Sequence, residues 1–340
     1  MLKQTYFMKK ISVLFVLLYC VGCNTKNEEF IISFGSCNKQ YVENILWPEI
    51  SKNNPKVWIW GGDNVYSDTD SMPKLKADYD MQWNQKGYKE FANSVAVIGT
   101  WDDHDYGLND GGYDFYKKKE SQQLFLDFLK VPKEDARRKQ EGVYHSQTFK
   151  TNQGSVKVIV LDTRYFRAEL TVSEDSTKRY QPNEYGKGTV LGETQWEWLT
   201  NELTTSKADF NLIVSSIQLL SYEHGFESWG TFPHEVVKMK EVIKNSEAKG
   251  VLVLSGDRHI SEFSSTEIPG YKHPLIDFTS SGLTHSYNGF TGEVNPGRIG
   301  EVVSEISFGI LKFDFKSNAV TMQMRGKDNV LQQEITQNYN

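Results

Sequence analysis

Short apolar runs recur along this chain, and nearly every one ends in a residue able to bind a ligand. Phe30–Phe34 leads into Gly35-Ser36-Cys37, and Val57–Gly61 into Gly62-Asp63. Val95–Gly99 leads into Trp101-Asp102-Asp103-His104-Asp105, and Val156–Leu161 into Asp162-Thr163-Arg164. Phe210–Ser215 runs on to Gln218, and Val251–Leu254 ends in Ser255-Gly256-Asp257-Arg258-His259. Each run reads as a buried strand followed by a tight turn. Between them, the pattern predicts helices over Tyr41–Lys52, Tyr79–Asn93, Ser121–Leu129, Glu193–Leu203 and Glu235–Asn245. Leu275–Ser280, Phe308–Phe315 and Ala319–Arg325 are further strands, the last two a hairpin, and the segment beyond Lys327 reads as a polar tail. Tyr165–Gly192 shows no period, and a loop of that length inside a compact domain is usually functional or mobile. Strands alternating with helices place the chain in the α/β class. The closing strands lack helices between them and point to mixed or stacked sheets.

At 340 residues the chain is long enough for one large domain or two ordinary ones, and no linker divides it. Aromatic residues at 13% favour β-rich layers and a walled pocket. A net charge of -6 argues against a nucleic-acid backbone as partner. It leaves room for a small phosphorylated substrate, because bound cations can reverse the local field. Lys9 and Lys10 precede the apolar run Ile11–Val21 and then Gly22-Cys23, which reads as an export signal too short to span a membrane. Its ending resembles a bacterial lipoprotein cleavage site, with Cys23 lipidated and residues 24–30 as a tether. The expectation is an exported cell-envelope lipoprotein, periplasmic or anchored at the outer membrane, that meets the membrane through its lipid. A plain secretory signal is the alternative. Either way Cys37 is left unpaired, as an inert buried thiol or a metal thiolate.

Polar residues at the ends of separate strands meet when those strands share a sheet edge. Cys37, Asp63 with Tyr66, Asp103 with His104, Gln218, and Asp257 with His259 would then form one cluster. Carboxylates, a thiol, a phenol and an imidazole together suit a binuclear metal site, with Asp63 best placed to bridge. Thiolate and phenolate select a softer or more oxidised metal, and the oxygen-rich remainder suits a hard cation. Residues two apart share a face of an extended chain, so Asp257 and His259 would each serve a cation while Arg258 points elsewhere. Simpler readings stand beside these: Asp63 in a turn, Tyr66 in packing, Arg164 in a structural pair with Asp162. Asp68, Asp70 and Asp110 read as solvated loop charges. His224, His234, His273 and His285 read as surface or pocket-wall residues, with His285 the nearest to a role. There is no Gly-x-Ser-x-Gly elbow and no phosphate-binding P-loop.

Five motifs, in order, carry a family resemblance. Gly35-Ser36-Cys37, Gly62-Asp63-x-x-Tyr66, Trp101-Asp102-Asp103-His104-Asp105, Asp162-x-Arg164 and Gly256-Asp257-Arg258-His259 resemble those of the PhoD-like (alkaline phosphatase D) phosphatases. That family belongs to the calcineurin-like metallophosphatases and is similar in site layout to purple acid phosphatases. The resemblance spans residues 31–285 and implies an α/β sandwich of two mixed β-sheets flanked by helices over residues 31–327, followed by the tail 328–340. It implies a ferric ion held by Cys37, Asp63, Tyr66 and His259, with Asp63 bridging to a calcium ion also bound by Asp103 and Asp257. Manganese, zinc and magnesium are alternatives. Asn109 would add an oxygen, and Asp102 competes with Asp103 as ligand. The implied reaction is hydrolysis of a small phosphate mono- or diester by a metal-activated water. His104 would protonate the leaving oxygen, and Arg164 would orient a phosphate oxygen. Alternatives are a phospholipase-type phosphodiesterase and a non-catalytic surface lipoprotein that binds phosphorylated ligands. The sequence departs from the family in three places. A separate N-terminal β-domain is not seen, Asp105 stands where Glu is usual, and Gln218 stands where distant relatives have a metal-binding His.

Overall fold

The strand Val57–Gly61 is buried on both faces, and its alternation lays out the architecture. Val57 and Ile59 pack into one apolar core, while Trp58 and Trp60 pack into another. The computed structural model describes residues 29–340, so the export signal, Cys23 and most of the tether lie outside the described residues.

In chain order the strands are β1 (Phe30–Gly35), β2 (Val57–Gly61), β3 (Ala96–Thr100), β4 (His145–Lys150), β5 (Ser155–Val160), β6 (Thr171–Val172), β7 (Tyr180–Gln181), β8 (Phe210–Val214), β9 (Val251–Ser255), β10 (Ser261–Thr266), β11 (Leu275–Ser280), β12 (Arg298–Val303), β13 (Phe308–Asp314), β14 (Ala319–Arg325) and β15 (Leu331–Asn338). One sheet runs β15-β14-β13-β1-β2-β3, and the other β12-β10-β11-β9-β8-β5-β4; β6 and β7 pair apart from both. The two large sheets face each other across a core that includes Phe34, Ile59, Leu212, Leu252, Phe278 and Met322. Helices α1 (Trp47–Ser51), α2 (Met72–Trp83), α3 (Tyr88–Ala92) and α5 (Lys118–Phe128) cover the outside of the first sheet over an aromatic core of Trp47, Trp58, Trp60, Phe91 and Phe128. Between α3 and α5 lies the single turn α4 (Asp103–Tyr106). Helices α6 (Gly192–Thr204) and α7 (Pro233–Ser246) cover the second sheet over Trp196, Leu199, Ile213, Met239 and Val253. The result is a two-sheet sandwich between helical layers, as the sequence predicted.

Three expected elements differ. The helix predicted over Tyr41–Lys52 shrinks to α1, because Asn44 binds Asn38 and the backbone of Leu46 through its side chain and holds the preceding loop out of a helix. The helix predicted over Tyr79–Asn93 is two helices, α2 and α3, interrupted at Gly87, whose φ is +83°. The polar tail after Lys327 is no tail: β15 pairs antiparallel with β14, with Met322 opposite Ile335. Its outward face is polar, which is what an edge strand needs.

β1, β2 and β3 run parallel, as do β5, β8, β9 and β11, so each set brings its carboxyl ends to one edge. The sheets touch there through a bridge between Ser36 and Ser281. Gly62, with φ +100°, has to be glycine: a Cβ would lie 2.6 Å from that of Asp102 and 2.9 Å from that of Ser216.

Candidate active site

Asp63 is the hub of this edge. It follows β2 with φ +49° and is fully buried. Its Oδ2 accepts from the Tyr66 hydroxyl at 3.0 Å and lies 3.4 Å from Cys37 Sγ. The Tyr66 hydroxyl is also 2.8 Å from His259 Nε2. Cys37 is pinned from β11's end, where Ser281 Oγ lies 3.0 Å from its sulfur and accepts from the His259 amide at 2.8 Å. Three overlapping groups of candidate ligands result: Cys37, Asp63 and His259; Asp63, Asp103 and His104; Asp102, Asp103 and Asp257. Within each, one ligand atom per residue lies within 4.8 Å of the others. Asp63 and Asp103 each belong to two groups, and Asp257 and His259 fall in different ones.

The electrostatics fit cations. Burial pushes the Cys37 thiol up to about 11. Burial, and then neighbouring negative groups, raises Asp63, Tyr66 and Asp257 well above their ordinary values. Asp63 Oδ1 and Asp102 Oδ2 are buried with no hydrogen-bond partner. Unpartnered buried carboxylate oxygens are costly unless a charge meets them. The set contains the thiolate, imidazole and carboxylate donors that transition metals and hard cations take.

His104 stacks on Tyr66, ring centroids 4.2 Å apart, and its Nδ1 lies 2.7 Å from Asp68 Oδ1. Burial alone would depress it, but Asp63, Asp68 and Asp103 outweigh that and push it up to about 11. Cations held by Asp63 and Asp103 would cancel part of that field. Asp68 therefore orients His104 rather than standing as a solvated charge. Asp110 is also more than a loop charge: its amide donates to Asp103 Oδ2 at 2.6 Å, and its carboxylate takes the Tyr180 hydroxyl at 2.6 Å and Arg179 at 2.5 Å.

Arg164 does not reach substrate space. It is wholly buried, its Nε 2.5 Å from Asp102 Oδ1 and its Nη1 2.5 Å from Glu227 Oε2, so the expected phosphate contact gives way to a buried ion-pair role. Asp102 has its Oδ1 occupied by Arg164 and Ser216 and caps α4, leaving only Oδ2 to face Asp103 and Asp257. Gln218 turns away to donate to Glu262 and Thr279, both at 2.8 Å. Asn109 stands exposed at the cavity rim with its amide nitrogen on Asp110. His285 packs against His259, ring centroids 4.4 Å apart.

A cavity of about 190 Å³ opens over Asp103, His104, Asp257 and His259. Its far wall is Arg179 and Tyr180, from the β6–β7 hairpin inside the aperiodic stretch, and Phe226 and Glu227, from the loop before α7. Arg258 completes the lining. Sequence reading gave none of these wall residues a role in the site; the length of the aperiodic stretch was the signal for Arg179 and Tyr180, and nothing in period or length marked Phe226 and Glu227.

The model of the PhoD-like phosphatase family matches residues 33–324. Alkaline phosphatase D of Bacillus subtilis (strain 168) is 26% identical over 142 residues, 38% of this chain and 24% of that protein, so the match spans about a quarter of the relative's length. Among solved structures, one described as PhoD superposes with a TM-score of 0.72 at 17% identity, covering 91% of this chain and 68% of its own. A dimetal phosphatase from Danio rerio gives 0.52 at 14% identity, covering 92% and 99%. These likenesses carry the fold. This chain belongs to the PhoD-like phosphatase family.

Proposed function

We propose that this protein is an exported hydrolase of small phosphate mono- and diesters, anchored in the cell envelope through lipid on Cys23. Cys37, Asp63, Tyr66 and His259 would hold ferric iron, and Asp63, Asp103 and Asp257, with Asn109 beside them, would hold calcium. Bound there, the cations supply charge for the phosphoryl oxygens and acidify water. His104, held by Asp68 and Tyr66 at the cavity, supplies a proton to the leaving oxygen. Asp110 steadies Asp103 through its amide. The observation that carries this reading is the convergence of a thiol, a phenol, two imidazoles and four carboxylates on one edge, with Asp63 Oδ1 left without a hydrogen bond. Elemental analysis of purified protein, paired with assays on a monoester and a diester before and after chelation, tests it. Two metals per chain and chelator-sensitive hydrolysis are expected. A metal-free chain, or a metal-loaded chain that hydrolyses neither ester, overturns it and leaves a ligand-binding surface lipoprotein.

A further inference from the structure

Arg258 sits between the two members of the last ligand pair, and strict alternation would aim it away from them. The backbone is not extended there: φ is +68° at Asp257 and +53° at His259. Arg258 consequently lines the same cavity as Asp103, His104, Asp257 and His259. It is 8% exposed. Its Nη2 donates to both Glu293 carboxylate oxygens, at 2.7 and 2.8 Å, and its Cζ lies 4.4 Å from the centre of the Phe226 ring. These contacts fix the guanidinium in place. Its buried Nε has no hydrogen-bond partner, and no hydrogen bond from Nη1 occurs among the described residues.

Arg179 and His104, which also line the cavity, are engaged, as are the two arginines behind its wall. Arg179 pairs with Asp110, His104 with Asp68, and Arg164 and Arg167 with Glu227. The cavity is also lined by the carboxylates of Asp103, Asp110, Glu227 and Asp257. An anionic ester approaching them is repelled unless positive charge stands opposite.

We propose that Arg258 is the phosphate-binding arginine of this site. Its Nη1 takes a non-bridging oxygen of the substrate phosphoryl group, while Glu293 and Phe226 hold the guanidinium still. This rests on the phosphoesterase reading and names, within it, a residue that touches substrate. The test is calorimetric binding of inorganic phosphate to the metal-loaded parent, R258K and R258M, with metal content, melting temperature and ester kinetics measured on the same samples. Both variants should keep their metals. Loss of a charge-assisted hydrogen bond should weaken phosphate binding about tenfold or more in R258M. R258K keeps a point charge without the fixed planar group and should fall between. KM should rise more than kcat falls. If both variants bind phosphate within about twofold of the parent, well inside the tenfold expected for such a bond, the assignment of Arg258 is overturned while the function stands. Parallel loss of metal or fold in both variants gives Arg258 a structural role and overturns it too. A metal-loaded parent that neither binds phosphate nor hydrolyses esters overturns the function itself.

Discussion

Replacing Arg164 with Met should unfold this protein far more readily than it impairs phosphate binding. Arg164 is fully buried between Asp102 and Glu227, and Glu227 keeps a second cation in Arg167, 2.9 Å away. Asp102 is therefore the group abandoned. Breaking one side of a buried ion pair costs about 3–5 kcal/mol. Asp102 can limit that by taking a proton. With Arg164 present Asp102 already sits at about 7, so near pH 7 the parent itself carries most of that protonation cost, and the variant's full penalty appears only above it. A penalty of about 3–5 kcal/mol, set against an unfolding entropy of about 0.7 kcal/mol/K for a chain of this size, lowers Tm by about 4–7 °C at alkaline pH. The sign with pH follows. Burial already lifts Asp102 to about 7 even with Arg164 present, and without it the folded value rises further. Both folded carboxyls are neutral below about 7 and only the parent's ionises as pH passes it, so the gap between parent and R164M should open above about pH 7 and widen towards pH 9. Scanning calorimetry on chelated samples isolates the effect from metal binding. If chelated R164M at pH 9 melts within about 1 °C of the parent, less than 1 kcal/mol on the same scale, while KM of the metal-loaded protein rises tenfold, Arg164 is a substrate ligand and the buried-pair argument fails.

Cys37→Ser should lower iron content and remove visible charge-transfer absorption, and an unchanged metal analysis would refute thiolate ligation. His104→Ala should slow esters with poor leaving groups by about 10²–10⁴-fold while sparing nitrophenyl esters, which need no proton on departure; equal losses on both substrates would remove His104 from that role. Asp257→Asn should stabilise the chelated protein at alkaline pH by about 1.4 kcal/mol for every pH unit by which burial, Asp102 and Asp103 have raised that carboxyl. Added metal should reverse the order, and a chelated D257N that melts below the parent would contradict the repulsion.

The strands that carry the ligands were legible because each is a short apolar run closed by glycine or a ligand residue, and the parallel pairing of those runs brings the ligands to one edge; β4, β6, β7, β10 and β12 were not read, being short or too polar to stand out. The helices were less so. Residues 38–46 carry helical character, but the Asn38–Asn44 hydrogen bond competes with it across the loop, and periodicity has no access to that bond. β15 has the alternation of an edge strand, yet its sequence LQQEITQN is so polar that only its pairing with β14 reveals it. Arg164 was misassigned because sequence shows a cation near a carboxylate and not how deep it lies. Arg258 was misaimed for a backbone reason: alternation assumes extended residues on either side, and both of its neighbours have positive φ.

That backbone feature extends to most of the site. Cys37, Asp63, Asp257 and His259 have φ of +60°, +49°, +68° and +53°. Left-handed conformations are ordinary for glycine and tolerated by Asp, but for cysteine and histidine they are uncommon. Each such residue costs roughly 1–3 kcal/mol unless the surroundings impose it. Here they do: the Asn38 amide donates to the Asp63 carbonyl at 2.9 Å, the Cys37 amide to the Gly62 carbonyl at 3.4 Å, and the Tyr287 amide to the His259 carbonyl at 2.7 Å. Glycine would relax each position but would remove a donor. A side chain leaving a strand end in the left-handed region turns back across the sheet edge, which is how donors from both sheets meet within one cluster. Strain and mutual repulsion are thus concentrated on the same few residues, and both oppose folding of the metal-free chain. Three apolar cores on either side of and between the sheets hold the frame against them. A cation relieves the repulsion but not the strain. Metal binding should therefore tighten a site whose backbone is already set, rather than fold it.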